Sequence, residues 1–151
     1  MLLTYLGDTL FQDDLIIGES LERHILKKIQ RRYPKAKKIE GYFKGYDLYV
    51  PEIGVRIEIK QDKKSQHTGN YVIEVEYGGK PSALSTTEAD YWVIFDGLCE
   101  IWTTPYRIRE AVKGLSLREF TGKGDDKPKK AYLCPIERIK NNAEFIYEIH
   151  S

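Results

Sequence analysis

An α/β fold built on a mixed sheet is what this chain predicts, and three observations carry that expectation. Leu21, Ile25, Leu26, Ile29 and Tyr33 recur at three- and four-residue steps, the apolar face of one helix. Short strand-like segments follow at loop lengths that suit an antiparallel meander. Further on, "DYWVIFDG" at 90–97 is nearly continuous apolar, as in a strand covered on both faces.

The elements follow in order. Residues 1–13 are ambiguous, and "LLTYL" suits a short strand or a packed arm. Asp13 or Asp14 can cap a helix that runs to about Tyr33, where Pro34 removes the next amide donor and stops it. Strands are expected near 38–43, 46–50 and 54–60, with "PEIG" at 51–54 turning the second back beside the third. "QDKKSQHTGN" is a polar loop, and "YVIEVEY" at 71–77 alternates as a further strand. "GGKPSALSTTEA" is a turn with one helical turn at most. "CEIWTT" pairs with 90–97 as a hairpin across Asp96–Gly97, and Pro105 opens the helix "PYRIREAVKG". After the loop "TGKGDDKPKK" come a strand "AYLCP", a short helix "PIERIKNN" and a closing strand "EFIYEI". With no repeat or linker, residues 1–151 read as one domain.

Composition narrows the function classes. Of 151 residues 41% are hydrophobic, and the apolar runs fall far short of a membrane span. The N-terminus lacks the basic start and apolar stretch of a secretion signal. Cys99 and Cys134 make neither a disulfide framework nor a zinc spacing, so buried, reduced thiols and a cytoplasmic protein without a membrane partner are expected. Net charge is only +1, but nine Lys or Arg residues lie between Arg23 and Lys44 against the single acid Glu40. A second basic cluster, Lys123 to Lys130, is diluted by Asp125 and Asp126. Such runs are solvated faces in general, and a phosphate-binding protein also needs them.

The segment "YDLYVPEIGVRIEIK" at 46–60 carries the chemistry. Alternation along a strand points Arg56, Glu58 and Lys60 one way and Val55, Ile57 and Ile59 the other. A turn at 51–54 brings Asp47 alongside, so two carboxylates and an ammonium meet. Two carboxylates can hold Mg²⁺ or Mn²⁺ and leave positions for water and a phosphate oxygen. The ammonium can orient that water or stabilise charge on the transition state. Asp/Glu-x-Lys occurs three times, at Glu58–Lys60, Asp62–Lys64 and Asp125–Lys127. Only the first lies on an amphipathic strand with an Asp on the strand before it.

This pattern resembles the PD-(D/E)xK, or restriction-endonuclease-like, nuclease superfamily. The resemblance runs over residues 15–97 and implies a core of helix, three-strand meander, helix and strand. It assigns Asp47, Glu58 and Lys60 to the motif, with Asp47 and Glu58 on the metal. "GESLER" at 18–23 is similar to the first helix of archaeal Holliday-junction resolvases, which makes Glu22 an auxiliary catalytic carboxylate. The stretch from 68 to 95 also looks like small phage or virus nucleases of the group. Two departures stand out: Tyr46 replaces the usual Pro, and only "PSALSTTEA" is offered where a long helix belongs. The function implied is a Mg²⁺- or Mn²⁺-dependent DNA endonuclease, cutting specific duplex sites or branched DNA, as a homodimer or higher homo-oligomer. Arg23, Lys27, Arg31 and Lys44 would track the DNA backbone, and Gln61 and His67 would border the substrate. The alternatives are an inactive nucleic-acid-binding or protein-interaction domain on the same fold, and a merely solvated charged edge.

Overall fold

Residues 21–41 and 45–148 are described by the computed structural model. In chain order they form α1 (Leu21–Gln30), β1 (Lys37–Lys38), β2 (Leu48–Val50), β3 (Val55–Gln61), α2 (Ser65–Thr68), β4 (Asn70–Tyr77) and β5 (Lys80–Pro81). Then follow β6 (Tyr91–Phe95), β7 (Cys99–Thr103), α3 (Pro105–Ala111), β8 (Arg118–Phe120), β9 (Lys129–Pro135), α4 (Ile136–Asn141) and β10 (Phe145–Glu148). The helix start expected at Asp13 or Asp14, the "LLTYL" segment and Lys44 lie outside the described residues.

The expected meander forms, but among the described residues its first strand is only Lys37–Lys38 instead of 38–43. β1, β2 and β3 are antiparallel neighbours, with Lys38 opposite Leu48 and Leu48 opposite Ile57. The turn between β2 and β3 needs a left-handed residue, and Gly54 supplies it at φ +63°. β6 then runs parallel to β3, from Ile57 beside Tyr91 to Gln61 beside Phe95. β7 returns antiparallel and β10 closes the edge, so the six-stranded mixed sheet has the order β1-β2-β3-β6-β7-β10.

The further strand expected at 71–77 forms, as β4, but outside this sheet: β5, β4, β9 and β8 make a second, four-stranded sheet. The reason is that β3 already has β2 on one side and β6 on the other, which leaves no free edge for β4. β4 pairs instead with β9, 52 to 65 residues on, from Tyr77 opposite Lys129 to Asn70 opposite Pro135. A parallel pair requires a long crossover. Here the β3-to-β6 crossover is made of α2, the β4–β5 hairpin and one 3-10 turn at Ala83–Ser85, with no long helix.

Apolar burial explains the layers. On one face of the six-stranded sheet, Ile25 and Ile29 of α1 pack with Leu48, Ile57, Val93 and Trp102. On the other, Trp92, Ile94 and Ile101 meet Tyr71 and Ile73 of β4, Cys134 of β9 and Ile108 of α3. β6 is thus buried on both faces, as its unbroken apolar sequence predicts. Both cysteines are buried and free.

The basic run is not uniformly solvated. Lys28 lies on the buried side of α1, 4% exposed, with Nζ 3.2 Å from the carboxylate of the fully buried Glu100. Its ammonium also sits 3.8 Å from the Tyr147 ring centroid. No helix among the described residues is long and apolar enough to cross a membrane.

Candidate functional site

Register decides which side chains meet. Leu48 and Ile57 are opposite partners and both point under α1. One residue away on each strand, Asp47 and Glu58 therefore point to the other face as a cross-strand pair. The Asp47 amide donates to the Ile57 carbonyl at 2.8 Å. Its carboxylate Oδ2 accepts from the Ile59 amide at 2.7 Å. That grip on β3 holds Asp47 in one place, and the residue is only 6% exposed. Glu58 stands beside Trp92 in the parallel register. Two residues on, Lys60 places Nζ 3.5 Å from Glu58 Oε1 and 5.2 Å from the Trp92 ring centroid. Arg56 shares this face but is taken up by Asp90, whose carboxylate accepts from both the Arg56 amide and Nε.

Electrostatics at this cluster are uneven. Burial pushes the Glu58 carboxyl up to about 7; the Lys60 ammonium opposes that rise and the Asp47 charge adds to it. The pair therefore holds more negative charge than its surroundings solvate comfortably. This suits a hard divalent cation, which takes oxygen ligands and offsets that charge. The donors fit Mg²⁺ or Mn²⁺ by chemistry, with Asp47 and Glu58 as the residues that would hold the ion. Two carboxylates suffice for a cation that keeps several waters. Among the described residues there is no group of three or more His, Cys, Asp or Glu side chains placed to hold a metal.

The other expected residues are distributed as follows. Glu22, on α1, pairs with Lys38 at 3.3 Å. α1 covers the opposite face of the sheet from Glu58 and Lys60, so the structure does not gather Glu22 with the cross-strand pair. Arg23, Lys27 and Arg31 follow one another at four-residue steps along the exposed side of α1 and its C-terminal extension, on that same far face. His67 is exposed on α2. Gln61 lies at the end of β3, next to Lys60, and lines a cavity.

That cavity, of about 380 Å³, opens beside Lys60 between the two sheets. Lys60, Trp92 and Ile94 form its wall on the six-stranded sheet; Tyr71, Ile73 and Glu74 of β4 and Lys129 of β9 face them. Phe120 at the end of β8 and the loop that follows, with Lys123 and Asp125, close a third side. Asp62 also lines it, its carboxylate accepting from the Val72 amide at 2.9 Å. Sequence reasoning missed Trp92, Phe120 and Lys129 here. Trp92 reads as plain core, and only its register beside Glu58 reveals a second role. Phe120 gives no signal, because its strand is three residues long. Buried Asp96 was also missed: it accepts from the Tyr71 hydroxyl at 2.8 Å and from the Leu98 and Cys99 amides, tying β4 to the β6–β7 turn.

Fold and cluster together define an α/β protein with a mixed sheet, bearing two carboxylates and a lysine on the face that a second sheet covers. Comparison with protein-family models, with curated proteins and with solved structures gave no match.

Proposed function

We propose that this chain is a divalent-metal-dependent DNA endonuclease with a restriction-endonuclease-like core. The observation that carries the reading is the cross-strand placement of Asp47 against Glu58, with Lys60, which lines the inter-sheet cavity, 3.5 Å from Glu58. The order of α1, the antiparallel β1–β2–β3 meander and a strand parallel to β3 agrees with that core. The β4–β5 hairpin in place of a long helix is a departure from it.

Hydrolysis adds water to the phosphorus and breaks one P–O ester bond, with one proton leaving the water and one reaching the departing oxygen. A bound Mg²⁺ or Mn²⁺ would make that water more acidic and neutralise charge on the phosphate. Asp47, fixed by the Ile59 amide, keeps a carboxylate at a constant position on β3. Glu58 presents the second carboxylate, and release of its proton near neutral pH readies it for a cation. Lys60 supplies a positive charge that orients the attacking water or stabilises the pentavalent phosphorus. The resemblance would make Glu22 an auxiliary ligand or water-positioner, but it pairs with Lys38 on the α1 side of the sheet and no step depends on it. Two copies related by a two-fold axis would cut both strands of a duplex.

The test is cleavage of linear duplex, single-stranded and four-way-junction DNA with Mg²⁺, Mn²⁺ or EDTA, beside Lys60→Ala and Asp47→Asn. Metal-dependent cutting that both variants lose is expected. Absence of cutting across a large library of sequences, together with no Asp47-dependent Mn²⁺ binding by calorimetry, would remove the enzyme reading.

A further inference from the structure

We infer that the inter-sheet cavity is a pocket for a single unstacked nucleobase. The inference takes its partner, nucleic acid, from the proposed function and adds the form in which that partner is held.

Two cation–aromatic pairs line the cavity, one from each sheet. Lys60 Nζ lies 5.2 Å from the Trp92 ring centroid on the six-stranded side. Lys129 Nζ lies 5.9 Å from the Phe120 ring centroid on the four-stranded side. An aromatic face with an adjacent cation is what stacks a base and steadies the phosphate joined to it. Trp92 is 2% exposed and forms the floor, so the face open to a base is that of the partly exposed Phe120. A volume of about 380 Å³ accepts one base with its sugar and has no room for a paired step.

Polar groups at the rim match a base edge. Glu74 is held by the Ser82 hydroxyl at 2.8 Å and lies 3.8 Å from Lys129. Asp125 lies 3.0 Å from Lys129 and accepts from the Gly122 amide at 2.9 Å. These are fixed acceptors for the amino and imino N–H groups that a base exposes only when unpaired. A free phosphate would find the same carboxylates repulsive, since Lys60, Lys64, Lys123 and Lys129 are countered by Asp62, Glu74 and Asp125. The geometry thus favours a base over a bare phosphate.

An unpaired base can come from a single-stranded tail or be turned out of a duplex. The experiment separates these sources by fluorescence anisotropy in EDTA, where no cutting occurs. The probes are a blunt duplex, the same duplex with a short single-stranded tail, that tailed duplex with abasic tail sugars, and a duplex with one mismatched pair. Binding about tenfold tighter than to the blunt duplex is expected for the tailed probe, the mismatched probe or both, and whichever binds tighter identifies the source. Abasic sugars should abolish the tail preference. Phe120→Ala, at a partly exposed position, should abolish it too, and Phe120→Trp should retain it. Equal affinity for all probes, or a preference that survives abasic sugars and Phe120→Ala, overturns the pocket. Metal-dependent cleavage of the blunt duplex is scored separately. A protein that cuts without base-dependent binding loses only this inference, and one that shows base-dependent binding but fails both the library cleavage and the Mn²⁺-binding tests keeps it while losing the nuclease reading.

Discussion

The six-stranded sheet carries a lysine–glutamate pair on each face, and the two pairs differ in almost everything but chemistry. Under α1, Lys28 lies 3.2 Å from Glu100, with the two side chains 4% and 0% exposed. On the opposite face, Lys60 lies 3.5 Å from Glu58, with 38% and 18% exposed. The buried pair is wrapped: Trp102 Nε1–H donates to Glu100 Oε1, and the Tyr147 ring faces the ammonium. The open pair is crowded by a second carboxylate, Asp47, and borders a cavity. Burial drives both buried partners toward neutrality, lowering Lys28 and raising Glu100, while their mutual attraction opposes it. The lesson is that an ion pair with its surroundings filled locks two elements together. One left next to a second like charge and open space is available to a cation or a substrate.

The largest effect should come from breaking the filled pair. Glu100→Ala removes a carboxylate 3.2 Å from a buried ammonium and should cost about 3–5 kcal/mol, read as a shift of the urea midpoint. Lys28→Met with Glu100→Leu should restore much of that loss, because no charge is left buried alone. A single substitution that costs under about 1 kcal/mol would make the two pairs equivalent and end the comparison.

Next comes the open pair, where the loss should be in rate. Lys60→Ala should lower metal-dependent cleavage about 10²- to 10³-fold, the scale for removing one electrostatic group at a transition state. Its stability should stay within about 1 kcal/mol, since the pair is only partly desolvated. At Asp47 two substitutions separate the roles. Asp47→Ala also strips the Ile59 amide of its acceptor and should cost about 1–3 kcal/mol, whereas Asp47→Asn keeps an oxygen there. Both should lose cleavage. If Asp47→Asn cuts normally, the carboxylate serves β3 alone.

A pH experiment sharpens the contrast. The Glu58 carboxyl stands at about 7 in the folded chain, against an ordinary value of 4.5. Between those values the folded chain keeps a proton that the unfolded chain has released, so stability falls as pH rises from 4.5 to 7 and levels off above. The full loss is about 3 kcal/mol at most. Glu58→Gln should therefore be as stable as the parent near pH 4 and more stable at pH 8, by thermal denaturation without metal. No gain at pH 8 would mean that Glu58 ionises without strain, and the case for a crowded carboxylate pair would fail.

The same contrast explains what was legible in the chain. Asp47, Glu58 and Lys60 sit on one hairpin, and a two-residue period with a turn at 51–54 places all three from local information. The apolar stripe of α1 and the buried pattern of β6 are local too. Lys28 and Glu100 are 72 residues apart; the helical period puts Lys28 on the apolar stripe, seven residues after Leu21 and three after Ile25, but says nothing of its partner. β4 shows its alternation but not its partner, because the choice of β9 over the first sheet depends on which edges remain free. The cavity was illegible for the same reason: Lys60 is on β3, but the walls that face it come from β4, β8 and β9.

Glu22 is the residue on which the two faces meet, and its expected effect is the smallest. Its carboxylate lies 3.3 Å from Lys38, a pair half open to solvent, so Glu22→Gln should change stability by less than about 1 kcal/mol. The resemblance makes it a catalytic carboxylate, yet α1 packs over the face from which Glu58 and Lys60 point away. At such a remove a charge acts only through a weakened field, so cleavage by Glu22→Gln should fall less than about tenfold. Lys38→Met tests the same point from the other side: it removes the 3.3 Å ion pair of Glu22, and a direct catalytic role would then show as a changed cleavage rate. A Glu22→Gln loss as deep as that of Lys60→Ala would require α1 to reach around the β1 edge when DNA binds. The division between a structural and a chemical face would then hold for the free protein alone.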